Sequence, residues 1–207
     1  MRSGGLRLLP FLAGLGLFCA GAAAEPVPPP AAPGSFYVIP VAEKTVSRLP
    51  DGPLFWRVES MPSITAARAA AGPFSLAVET AGTVWLITLG AAGGSTADAT
   101  LAAEIGPLPA VRAHRYLLRV NHAGGPPGSS TPVHTHPGSE SFFVLKGQLS
   151  QQAPTGVMRV GAGHAMSGHE PGMIMQLRSS GQTDLEQLVM FVVDADKPFS
   201  SPASFER

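Results

Sequence analysis

The chain has 207 residues and a formal net charge of zero, and only 14% of its residues are charged. That balance, with few Lys and Arg, argues against a basic stripe able to neutralise nucleic-acid phosphates, so no nucleic-acid partner is expected. The length suits one domain with an extension, and 24 glycines and 21 prolines point to short strands joined by turns.

The first 24 residues read as a signal peptide. Arg2 and Arg7 form a positive start, Leu8 to Ala20 is an almost unbroken apolar run, and Ala22-Ala23-Ala24 offers small residues for cleavage before Glu25. The run is short for a membrane span, which needs ~20 residues, so no stable membrane anchor is expected after cleavage. The expected location is therefore periplasmic or secreted. Cys19, the only cysteine, lies inside this leader. The mature chain then has no thiol for a disulfide, a metal ligand or a nucleophile. Residues 25–34 are rich in proline and alanine and read as a linker.

Residues 35–115 read as an N-terminal α+β extension. Strands are expected over Phe36–Val41, Leu54–Glu59, Ser75–Glu79 and Thr83–Leu89. Pro62 and Ser63 open one short helix over Ile64–Ala71, which Gly72-Pro73 ends. Gly90–Ala99 is a Gly/Ser/Ala loop. From residue 116 to 199 the strand signals are denser: Tyr116–Val120, Pro132–His136, Glu140–Leu145, Gln148–Gln152, Gly156–Val160, Met173–Arg178 and Leu185–Val193. Their rhythm is that of an all-β sandwich or barrel, and the apolar run in Leu185–Val193 marks a central strand. After Asp194 the chain turns polar, and the domain is expected to end near Phe199.

The chemistry concentrates in Thr131–Gly147, TPVHTHPGSESFFVLKG. His134 and His136, two apart on a strand, place both imidazoles on one face, ~6.5 Å apart along the strand. Pro137-Gly138 reverses the chain, so Glu140 returns toward the same two rings. Two nitrogen donors and one carboxylate suit a divalent ion such as Fe, Mn, Zn, Ni or Cu. Three protein ligands leave positions open for water or substrate.

At these residues the chain resembles the cupin superfamily, whose first motif reads G-x5-H-x-H-x3-4-E-x6-G. Gly128, His134, His136, Glu140 and Gly147 match every position. The resemblance covers about residues 116–195. It implies an all-β, cupin-type antiparallel β-barrel (jelly roll) with the metal inside its mouth, and a homodimer. The second motif departs from the pattern. Its usual closing histidine falls on Met166 or, if HAMSGHEPGMI is a loop insertion, on Met175. Water, a loop histidine (His169 ahead of His164), or the Met175 thioether are then the alternatives for the remaining ligand.

Two functions are expected from this pattern. One is a metal-dependent enzyme, oxygenase-like or an isomerase or lyase, acting on a small oxygenated substrate. The other is a non-catalytic periplasmic module binding a small molecule or the metal itself. There is no G-x-S-x-G elbow, phosphate loop or dinucleotide fingerprint to compete.

Overall fold

The computed structural model describes residues 34–205. The expected leader, and all of the expected linker except its last residue, lie outside the described residues. The elements in chain order are β1 (Tyr37–Val46), β2 (Phe55–Met61), α1 (Ile64–Ala70), β3 (Ser75–Thr80), β4 (Thr83–Gly90), β5 (Thr100–Ile105) and β6 (Tyr116–Gly125). There follow β7 (His134–Thr135), β8 (Gly138–Lys146), β9 (Gln148–Ala153), β10 (Gly156–Gly161), β11 (Ala165–Ser167), β12 (Gln176–Ser179), β13 (Leu185–Asp194) and β14 (Ser201–Pro202).

The architecture is all-β and antiparallel, as expected. One five-stranded sheet runs β1-β6-β13-β8-β11. A second layer is formed by β10-β9-β12. Isolated bridges Ser130↔Arg178 and His134↔Met175 continue that layer to the pair β7-β14. Between the two layers lies an apolar core that includes Phe142, Val144, Leu149, Leu177, Val189 and Phe191. This is the barrel interior.

The central strand explains its own sequence. Leu188, Met190 and Val192 join one core, while Val189, Phe191 and Val193 join the other. A strand buried on both faces cannot alternate apolar with polar residues, so it reads as a continuous apolar run.

The segment before residue 116 divides in two. Strand β1 pairs with β6 and belongs to the barrel sheet. Strands β3-β4-β2-β5 form a separate sheet. That sheet lays Trp56, Val58, Trp85 and Ile87 against Leu118, Val120, Phe143 and Met190, on the outer face of the barrel. Strand β5 carried no sequence signal, because Thr100–Ile105 is an edge strand with its side chains mostly exposed. The helix forms where expected. Ser63 accepts a hydrogen bond from Ala66 N at 3.1 Å and caps its first turn.

The outer sheet therefore clamps the strands whose other faces build the cavity. Trp56 is fully buried at that junction. Trp56→Ala should cost about 3–5 kcal/mol. Denaturant unfolding followed by tryptophan fluorescence and by far-ultraviolet circular dichroism should stay a single shared transition. Two separate transitions would show that the sheet is an independent appendage.

Candidate metal centre

His134, His136 and Glu140 reach one cavity of about 390 Å³ that extends from Val38 on β1 to Pro202 on β14. The two histidines sit on and just beyond β7, and Pro137-Gly138 turns the chain into β8. Only glycine fits at that turn: a Cβ on Gly138 would stand 2.1 Å from the Val192 carbonyl oxygen. Glu140 then lies opposite Phe191 in the β8–β13 ladder and faces the interior.

Backbone carbonyls aim both imidazoles. His134 Nδ1 bonds to the Pro132 carbonyl at 2.8 Å, and His136 Nδ1 bonds to the Phe199 carbonyl at 2.6 Å. A carbonyl oxygen only accepts, so each Nδ1 carries the hydrogen and each Nε2 lone pair is left to bind. The rings meet edge to face with centroids 4.9 Å apart. His136 is also packed between Phe191 and Phe199, at 4.9 and 4.8 Å. Burial pushes its pKa down from 6.5 to about 4, against the pull of the Phe199 carbonyl and aided by nearby His134 and Arg119. His136 is thus a neutral imidazole at pH 7, the form that ligates metals.

Glu140 is 2% exposed, and its Oε2 has no hydrogen-bond partner. Desolvation alone pushes its pKa from 4.5 up to about 8. A buried carboxyl with one unpartnered oxygen, sharing a cavity with two imidazoles, is the donor chemistry that a divalent cation takes. The assembly is looser than the spacing implied. Among the described residues, no three His, Cys, Asp or Glu side chains are gathered closely enough to hold an ion. The two histidines are brought together, while Glu140 shares their cavity without closing on them. The anchors explain this. The rings are tied to backbone at residues 132 and 199, whereas Glu140 is fixed by its register on β8.

The other candidate ligands stand elsewhere. Met175 pairs with His134 through two backbone hydrogen bonds of 2.9 Å. Its sulfur accepts a hydrogen bond from Gln151 Nε2 at 3.5 Å. Met166 packs in the barrel core. His169 lies in the loop after β11, where Gly168 N donates to the Glu140 carbonyl and Gly172 N to the His136 carbonyl, at 2.7 and 2.9 Å. Its Nε2 is buried without a partner, and burial lowers its pKa. Neither Met175 nor His169 lines the cavity.

Five lining residues escaped the sequence reading. Phe199, Ser200 and Pro202 bring the chain back over the cavity, past the expected domain end. Asn121 and Thr131 also line it. The only available signal was the alternation of β6, which puts Arg119, Asn121 and Ala123 on one face.

Glu140 and His136 give opposite pH slopes. Glu140, raised in the fold, favours the native state fully below pH 4.5, and that support is lost as pH rises through about 8. His136, lowered in the fold, favours the native state above pH 6.5, and that support is lost as pH falls through about 4. Between pH 6.5 and 8 the Glu140 effect stands alone. Melting temperatures of metal-free protein should fall with pH across that window, and Glu140→Gln should flatten the slope. Parallel slopes in both proteins would contradict the assignment.

No family model and no curated protein matches the chain. Among solved structures, it is similar to the DMSP lyase DddQ from Ruegeria pomeroyi, with 23% identity and a TM-score of 0.37 over 42% of this chain and 43% of that one. A cupin-like protein from Thermotoga maritima gives 16% and 0.38, over 42% of this chain and 64% of that one. A protein with a double-stranded β-helix domain from Klebsiella pneumoniae gives 22% and 0.35, over 44% of this chain and 76% of that one. This chain thus spans less than two thirds of the Ruegeria and Thermotoga proteins. In the antiparallel barrel described above, His134 on β7, His136 just beyond it and Glu140 on β8 line one cavity.

Proposed function

We propose that this chain is an exported cupin that holds one divalent ion through His134, His136 and Glu140 and acts on a small oxygenated substrate. The observation that carries the reading is the partnerless Glu140 oxygen, which shares a cavity with two imidazoles whose Nε2 atoms are left to bind. When bound, such an ion (Fe, Mn, Zn, Ni or Cu) supplies Lewis-acid or redox chemistry. The chain's own part is to hold His136 neutral, to aim both rings through backbone carbonyls, and to keep water scarce. Val189, Phe191, Phe199 and Pro202 form apolar walls for that last task. Small-molecule chemistry suits a cavity of this size and lining.

A second reading is a non-catalytic module that binds the ion or a small ligand. It is favoured by the loose spacing of the three side chains and by the position of Met175 and His169 away from the cavity. Export rests on the leader alone and predicts a mature N-terminus at Glu25.

Equilibrium dialysis against Mn, Fe, Co, Ni, Cu and Zn, followed by elemental analysis, tests the site. About one ion per chain is expected. Binding should weaken at least ten-fold in His136→Ala and Glu140→Gln, the ordinary effect of removing a ligand. Met175→Leu and His169→Ala should bind as the parent does. Equal binding in all four variants, or no binding in the parent, would overturn the metal reading. Oxygen uptake and product analysis with a panel of small acids and phenols then separate the two functions. Turnover supports the enzyme, and metal without turnover supports the module.

A further inference from the structure

The wall of the cavity that carries no histidine has its own polar group. Asn121 lies on β6, is 1% exposed, and lines the cavity. A buried carboxamide has a donor end and an acceptor end, and both seek partners. The acceptor end is taken, because Arg119 Nε donates to Asn121 Oδ1 at 2.9 Å. A guanidinium has no acceptor, so this contact decides which way the amide points. The oxygen is taken by Arg119, so the NH2 end is the one a ligand in the cavity lined by Asn121 would meet.

Arg119 is itself held in place. Its guanidinium carbon stands 4.2 Å over the Phe199 ring. Its Nη1 lies 3.7 Å from Glu43 Oε2. The residue two places along β6 therefore fixes the amide and adds positive charge behind it. Around Asn121 the lining is apolar: Val38, Ala123, Leu177, Val189 and Phe191. A ligand matching this wall has an apolar body and one electron-rich oxygen end.

We infer that Asn121 is the ligand-recognition residue of this cavity, that it donates through Nδ2 to the carboxylate oxygen of a small, largely apolar monocarboxylic acid, and that Arg119 is its positioning residue. The inference deepens the proposed function, since it takes the same cavity as the substrate site and names the substrate class. It does not depend on a bound ion, because the donor lies on β6, separated from Glu140 on β8 by β13, and is not one of the proposed ligands. A charged acceptor is favoured over a neutral one because hydrogen bonds to charged groups are the stronger kind. The arginine behind the amide reinforces that preference. An alcohol of the same shape would lose it.

The test uses the mature protein, ¹⁵N-labelled and kept metal-free with a chelator, with benzoate and benzyl alcohol as probes. The side-chain NH2 signals of Asn121 are identified by their loss in Asn121→Ala. Benzoate should shift those signals in the parent protein, and benzyl alcohol should not. Benzoate affinity should fall roughly ten-fold or more in Asn121→Ala. Arg119→Lys keeps the charge but removes the fork that fixes the amide. It should weaken benzoate and leave benzyl alcohol within two-fold of the parent. The parent measurement needs no substitution, so a variant that fails to fold leaves the question decidable. Asn121 signals that stay still while benzoate binds, or benzoate that does not bind at all, would overturn the inference. Failure of the metal reading would appear only in the dialysis experiment, where no acid is present.

Discussion

A carboxyl group sealed in an apolar barrel is the constraint around which this molecule is arranged. Glu140 has one oxygen with no partner, and burial alone is enough to hold its proton past neutrality. An ionised group in such a place is costly unless a positive charge meets it. Among the described residues, burial is the one influence that shifts Glu140, with no opposing charge acting on it. Two imidazoles share its cavity, and His136 is kept neutral by the same burial. A cation entering this cavity would find three donors, one of which must give up a proton to bind. Affinity for an ion should therefore rise with pH.

Sealing the group requires the strand beneath it to be rigid, and the fold provides this from both sides. The alternating residues of β8 divide between two cores, Phe143 outward and Phe142 and Val144 inward. The outer sheet of β2 to β5 thus bears on the site without touching it. Backbone contacts complete the frame. The loop through residues 168–172 ties down the carbonyls of Glu140 and His136, and the C-terminal tail offers the Phe199 carbonyl to His136. The centre is built from four stretches of chain, around residues 119–121, 134–140, 168–172 and 199–202. They meet only in the closed barrel.

Much of this was legible before the fold was known, and the exceptions share a cause. That His134, His136 and Glu140 reach one cavity could be read from their local spacing, but the expected hairpin does not form: β7 pairs with β14, and β8 pairs with β13 and β11 in another sheet. Strand β13 could be read because burial on both faces leaves an unbroken apolar run. The tail could not, since its polar, proline-marked sequence looks like a terminus, and its role depends on a hydrogen bond from His136 63 residues away. Asn121 could not be singled out because a lone asparagine on a strand carries no spacing signal. Met175 occupied the position where a fourth ligand was sought. The structure gives its sulfur to Gln151 deep in the barrel, which is how a thioether behaves as packing material. His169 sat in the right loop, but that loop meets the backbone carbonyls of Glu140 and His136, and His169 does not line the cavity.

The central claim is that this cavity gathers an ion on two imidazoles and one carboxylate. X-ray absorption fine structure of the metal-loaded protein, compared with His134→Ala and Glu140→Gln, tests it most directly. The account predicts two imidazole scatterers in the parent, one in His134→Ala, and two with one fewer carboxylate oxygen in Glu140→Gln. A coordination shell without imidazole in the parent, or one unchanged by either substitution, would contradict it.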